Sequence, residues 1–164
     1  SGAALRGALR RLMGDEPELF QDMALYKPPG VGREKPWHQD AAYFNLPDGV
    51  CVIGAWIALD DADVENGCMC VAPGSHRDGP ALHFQRRDWQ ICDRDAPADR
   101  AVALPMASGD CLLFHGLLLH GTPPNHSLRR RRAVQFHYKP ASAAWTEEAE
   151  RLARFGGEGQ GVEC

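Results

Sequence analysis

Short apolar runs closed by Gly and Pro constrain this chain more than any other feature. Residues 51–60 (CVIGAWIALD) are β-branched and aromatic and lie between turn residues, which predicts a buried strand. Residues 19–27, 68–72, 101–105, 110–115 and 131–139 read as further strands, broken at Pro28-Pro29-Gly30, Pro73-Gly74-Ser75-His76 and Ser108-Gly109. Residues 3–13 form an amphipathic helix with Leu5, Leu9, Leu12 and Met13 near one face, stopped by Gly14. A short charged helix follows residue 146, and the Gly-rich end FGGEGQGVEC is expected to be mobile. Residues 30–37 and 121–128 read as loops, and the polar stretch 77–100 as a long surface excursion. Many short strands with few helices predict an all-β sandwich or barrel with helices outside it.

Composition narrows the function classes. A chain of 164 residues suits one domain, and 44% hydrophobic residues supply a core without disulfides. A net charge of −4 argues against a nucleic-acid partner. No apolar run is long enough to span a bilayer, so no membrane partner is expected. The six cysteines form no C-x-x-C pair. Cys51, Cys68, Cys70 and Cys111 lie in apolar runs and read as small core residues, which fits a reducing, cytoplasmic setting.

The chemistry starts at His38-Gln39-Asp40. In an extended segment residues i and i+2 project to one face, so imidazole and carboxylate can converge on one ion. A third ligand must come from elsewhere, among His76, His83, His115, His120, His126 and His137. His120 ends the apolar run LLFHGLLLH and precedes Gly121, so it sits at a strand end beside an open loop. Two His and one carboxylate are the facial triad of non-haem Fe(II) oxygenases, with three coordination positions left open. Two of those suit a bidentate 2-oxoacid and one suits O₂. The far carboxylate of the 2-oxoacid then needs a cation, and Arg129 to Arg132 follow His120. Alternation turns either Arg129 and Arg131 or Arg130 and Arg132 inward, and spacing alone does not choose.

Three segments carry a family resemblance: MALYKPPGVGREKPWHQDAAYF, GAWIALDDADVENGCMCVAPGSH and GDCLLFHGLLLHGTPPNHSLRRRRAVQFHY. From Met23 to Tyr138 the chain resembles the phytanoyl-CoA dioxygenase family. The resemblance implies a mainly β double-stranded β-helix (a cupin-like jelly roll) with flanking helices. It implies Fe(II) on His38, Asp40 and His120, with 2-oxoglutarate as cosubstrate and O₂ as co-reactant. It places the 2-oxoglutarate clamp on Arg131, with Arg129 on the same face, and matches Met23, Gln39, Trp56 and Thr122 to positions lining the cosubstrate. The implied reaction hydroxylates a small organic substrate and releases CO₂ and succinate. Asp40 is present where related halogenases lack the carboxylate. Family members carry a further N-terminal segment that shapes the substrate pocket. The expectation is therefore one domain over residues 1–164 without that segment.

Tyr43 and Phe44 follow the metal motif and are candidates for the substrate side. Lys35 and Trp37 precede it and are candidates for the mouth, and Arg86, Arg87 and Trp89 for a lid. His115 reads as a core histidine, His76 as a turn residue, and His126 and His137 as structural or exposed. Asn125 is expected to bond its own loop. Two other readings use the same ligands: a cupin-like binding protein without turnover, and a zinc hydrolase.

Overall fold

The burial of one strand organises the molecule. In the computed structural model, which describes residues 2–157, β10 (Arg131–Pro140) alternates strictly between buried and half-buried positions. Its inward residues are Arg131, Ala133, Gln135, His137 and Lys139. β10 lies between β1 (Pro17–Lys27) and β3 (Ile53–Ala58), and β8 (Cys111–His115) closes this four-stranded sheet in the order β1-β10-β3-β8. A second four-stranded sheet has the order β2-β9-β4-β7, from β2 (Lys35–His38), β9 (His120–Thr122), β4 (Met69–Val71) and β7 (Val102–Leu104). All pairings in both sheets are antiparallel. The fold is a jelly roll with open sheet edges, as the strand pattern and the resemblance predict.

The main core lies between the sheets. Trp56 and Ala58 of β3, Phe114 of β8 and Ala133 of β10 meet Met69 and Val71 of β4. Fully burying each large apolar side chain stabilises the fold by about 1.5–3 kcal/mol. Helices flank the sheets: α1 (Gly2–Met13) and α2 (Glu148–Phe155) bury Leu9 and Phe155. Leu12, expected on the buried face of α1, is 54% exposed. Gly14 ends α1 with φ 69°, a conformation that favours glycine. No helix among the described residues is long and apolar enough to cross a membrane.

Several expectations are corrected. The 30–37 loop contains β2, which tolerates Pro36 because it is an edge strand. The 77–100 excursion is ordered as a hairpin, β5 (His83–Gln85) and β6 (Trp89–Ile91), with β6 against β2. Trp37 does not gate a mouth; it packs with Ala72, Ile91 and Leu119. Cys111 is exposed because it opens the edge strand β8, whereas Cys92 is buried. The expected mobile end falls from residue 158 onward outside the described residues.

Gly54 of β3 links this packing to the site. A Cβ there would lie 2.6 Å from Cζ of Phe114, whose ring centroid is 4.8 Å from that of His120. Phe114 therefore rests on bare backbone while it supports His120. Gly54→Ala is expected to destabilise the protein by about 1–3 kcal/mol through overpacking. Chemical denaturation checks this; an unchanged midpoint would show that Phe114 has room to shift.

Candidate metal centre

β2 and β9 bring the two histidines together, pairing His38 directly opposite His120. Gln39 is extended (φ −115°, ψ 130°), so His38 and Asp40 project to the same side, with Asp40 opening a short 3₁₀ turn, Asp40–Tyr43. Asp40 Oδ1 lies 3.3 Å from His38 Nε2 and 3.5 Å from His120 Nε2. One ligand atom from each of the three residues falls within 4.8 Å of the others, and all three residues are buried. Ligands about 2.1 Å from one ion and at right angles to each other lie roughly 3 Å apart, so these spacings fit neighbouring positions on one ion.

The ring orientations fit as well. His38 Nδ1 lies 2.8 Å from the carbonyl of Pro36, and His120 Nδ1 lies 2.9 Å from that of Leu118. With each Nδ1–H donating to backbone two residues upstream, both Nε2 atoms face Asp40 and are the atoms open to an ion. Three potential ligand atoms thus converge on one buried point, an arrangement that suits a cation. Burial pushes the Asp40 carboxyl up, but the charge and hydrogen bonds of His120, with those of His137 and His38, outweigh it and hold it well below the usual range. Burial and the neighbouring His120 lower His38. For His120, Asp40 overcomes the opposing effect of burial and raises it. The ligand set suits a divalent ion bound by imidazole and carboxylate.

A cavity of about 290 Å³ opens on this point and is also lined by Met23, Trp56, Thr122 and Arg131. Arg131 is 2% exposed, with its guanidinium 5.5 Å from the Trp56 ring centre. Its Nη2 donates to the carbonyl of Gly67 at 3.1 Å, and its Nε has no partner. Burial draws the group down to about 10, so it remains charged at neutral pH. No carboxylate of the described residues pairs with it. Gly67 has φ 84°, and a Cβ there would lie 2.5 Å from the carbonyl oxygen of Pro123.

The other three arginines point elsewhere. Arg132 pairs with Asp60 at 2.8 Å and Arg130 reaches the same carboxylate at 3.6 Å. Arg129 does not share the face of Arg131, because β10 begins only at Arg131; it lies in the preceding loop and pairs with Asp63.

Gln39 is a second correction, since its side chain is turned away from the cavity. Its Nε2 donates to the carbonyls of Gly79 (2.9 Å) and Leu117 (2.8 Å), and its Oε1 accepts from Ala81 N–H at 2.8 Å. Its backbone N–H donates to His83 Nε2 at 2.9 Å. The alternation that unites His38 and Asp40 sends Gln39 to the opposite face, so the sequence pattern already carried the signal. Residues 77–100 therefore brace the metal motif from behind. Trp89 Nε1 donates to the carbonyl of Ala42 (3.3 Å), and Tyr43 Oη donates to that of Trp89 (2.8 Å).

Lys35, Tyr43 and Phe44 line the cavity. Lys35 Nζ donates to Tyr43 Oη at 2.9 Å and pairs with Asp88 at 2.6 Å. His115 is half-buried, and its Nδ1 accepts the Leu117 N–H at 3.0 Å. His76 lies in a 3₁₀ turn, His126 is exposed, and Asn125 Oδ1 accepts the Ser127 N–H at 2.9 Å.

Three buried residues at the site make contacts there that the sequence did not reveal. His137 Nε2 lies 2.8 Å and Gln135 Nε2 2.9 Å from Asp40 Oδ2. Lys27 Nζ sits beside Arg131, donates to the carbonyls of Arg33 and Pro123, and is lowered to about 8 by burial and by Arg131. All three occupy inward positions of β1 or β10. Polar residues at inward strand positions were the available signal.

A family model described as "Phytanoyl-CoA dioxygenase (PhyH)" matches residues 4–133. The chain is 33% identical over 141 residues to "Phytanoyl-CoA dioxygenase domain-containing protein 1" of Danio rerio, covering 80% of this chain and 48% of that protein. It is 35% identical over 125 residues to "Phytanoyl-CoA dioxygenase" of Arabidopsis thaliana, covering 74% and 44%. It thus spans about half the length of the curated relatives it matches. Among solved structures it resembles EvdO2 from Micromonospora carbonacea var. aurantiaca complexed with 2-oxoglutarate (29% identity, TM-score 0.76, 88% of this chain and 61% of that one). It also resembles the epimerase SnoN in complex with Fe3+, alpha ketoglutarate and nogalamycin RO (26%, TM-score 0.73, 87% and 57%). Sequence motifs, fold and family match agree: the chain belongs to the phytanoyl-CoA dioxygenase family.

Proposed function

We propose that this chain is the catalytic domain of an Fe(II)- and 2-oxoglutarate-dependent dioxygenase that hydroxylates a small organic substrate. The observation that carries the reading is Arg131, a buried cation without a counter-ion among the described residues, in the same cavity as three convergent candidate metal ligands. A buried unpaired charge is costly unless a ligand completes it. An anion that also reaches the metal answers both demands, and a keto-diacid is such a molecule.

His38, Asp40 and His120 would hold Fe(II), and Arg131 would bind the far carboxylate of 2-oxoglutarate. Thr122 offers a hydroxyl to the cosubstrate, while Trp56 and Met23 wall it in. When bound, the iron with 2-oxoglutarate and O₂ supplies the oxidising chemistry, releasing CO₂ and succinate and leaving one oxygen atom on the substrate. Phe44 and Met23 present apolar surface that excludes water. Lys35 and Tyr43 stand on the substrate side. Asp40 as a ligand favours hydroxylation, since no halide takes its position. In this reading residues 1–164 belong to one oxygenase domain. The five cysteines among the described residues are unpaired, which fits a reducing compartment such as the cytoplasm.

Turnover assays and thermal melts test this. With Fe(II), ascorbate and O₂ the protein should release succinate from 2-oxoglutarate, and Arg131→Leu should raise the KM for 2-oxoglutarate about 100-fold, the scale of losing a buried charge pair. The same variant should keep or raise the metal-free melting temperature, because it deletes an uncompensated charge. An unchanged KM would sink the assigned role. Separately, Mn(II) at about 100 times its Kd should stabilise the wild type by ~2.7 kcal/mol and leave His38→Ala and His120→Ala unmoved. Thermal melts with and without the ion measure this, and equal shifts in all three proteins would place the metal elsewhere.

A further inference from the structure

The two oxygens of Asp40 have separate neighbours. Oδ1 faces His38 Nε2 (3.3 Å) and His120 Nε2 (3.5 Å). Oδ2 faces His137 Nε2 (2.8 Å) and Gln135 Nε2 (2.9 Å). His137 is 1% exposed and Gln135 5%. They stand two residues apart on the inner face of β10, opposite Gly54 and Trp56 of β3 and Gln21 and Met23 of β1. The His137 ring is packed 4.9 Å from the ring of Phe44. A strand paired on both edges and an aromatic neighbour leave these donors little freedom.

The direction of the hydrogen bonds follows from donor inventory. An ionised carboxylate only accepts, so His137 places its Nε2–H on Asp40. Gln135 Nε2 also lies 2.9 Å from His137 Nε2, but that nitrogen then carries a proton, so the Gln135 N–H is directed to Oδ2 as well. His137 Nδ1 has no hydrogen-bond partner among the described residues.

We infer that His137 and Gln135 are positioning residues that hold Asp40 as a one-oxygen ligand; this rests on the metal reading above. A carboxylate free to rotate can bring its second oxygen to the ion and occupy a fourth position. A facial triad needs three positions open, two for the 2-oxoacid and one for O₂. Two donors on Oδ2 keep that oxygen off the metal. Since Arg131 lies on the same face of β10, one strand sets both the orientation of the metal carboxylate and the place of the 2-oxoacid clamp. Such supporting contacts typically carry 10–100-fold in metal affinity.

The test uses Co(II), whose visible bands report coordination number, added to metal-free protein. His137→Phe keeps a ring and removes the donor; Gln135→Met keeps length and removes the other; His137→Gln restores an N–H. We expect the Co(II) Kd to rise about 10–100-fold in His137→Phe and about 10-fold in Gln135→Met, with altered bands in both. His137→Gln should return most of the affinity. Wild-type Kd and bands in both donor-free variants would overturn the inference. So would equal losses in His137→Phe and His137→Gln, which would mark a packing effect. If melting of the metal-free protein shows His137→Phe unfolded, Gln135→Met decides by the same criterion. Wild-type protein that binds Co(II) yet yields no succinate from 2-oxoglutarate would overturn the oxygenase reading and leave this inference standing.

Discussion

The pairing of β2 with β9 sets His38 against His120, and the rest of the site is arranged around it. Both strands are short, of four and three residues, and such a pair is not stable by itself. Support comes from two sides. β4 pairs with β9 on one flank, and the β5–β6 hairpin packs behind β2 on the other. Gln39 ties this backing together, since its side chain and backbone reach Gly79, Ala81, His83 and Leu117. A motif that looks like three consecutive functional residues is two candidate ligands separated by a brace.

The cavity concentrates unfavourable electrostatics. Arg131 lacks a partner for Nε, Lys27 is buried beside it, and three ionisable groups converge at the candidate metal point. Each arrangement reduces the stability of the ligand-free protein, and the apolar core between the sheets offsets that cost. The carbonyl oxygens of Gly67, Arg33 and Pro123 satisfy these cations only partly, because a carbonyl dipole does not neutralise a charge. On the proposed function, a metal and a dianion entering together would relieve this cost.

Much of this was legible along the chain. The strands at 51–60, 68–72, 110–115 and 131–139 follow from β-branched runs and turn residues, and the structure places strands in each. The 35–38 strand was obscured by Pro36, because a proline reads as a break unless the strand is known to be an edge. Gln39 was misread because a position beside two candidate ligands resembles a ligand-lining one. His137 was read as structural or exposed because a lone histidine in a strand shows no partner. Its partner, Asp40, is far away in sequence, and only the strand order brings it near.

By itself the amino-acid order determined the strand pattern, the H-x-D pair on one side of an extended backbone and the alternation that separates Arg131 from Arg132. These are local: a period of two and the conformations open to Gly and Pro carry them. Tertiary structure decided which histidine joins the pair, that Arg131 is buried without a carboxylate, and that His137 and Gln135 grip the second oxygen of Asp40. Those facts depend on which strands become neighbours, and that is set by burying two sheets against each other across long stretches of chain.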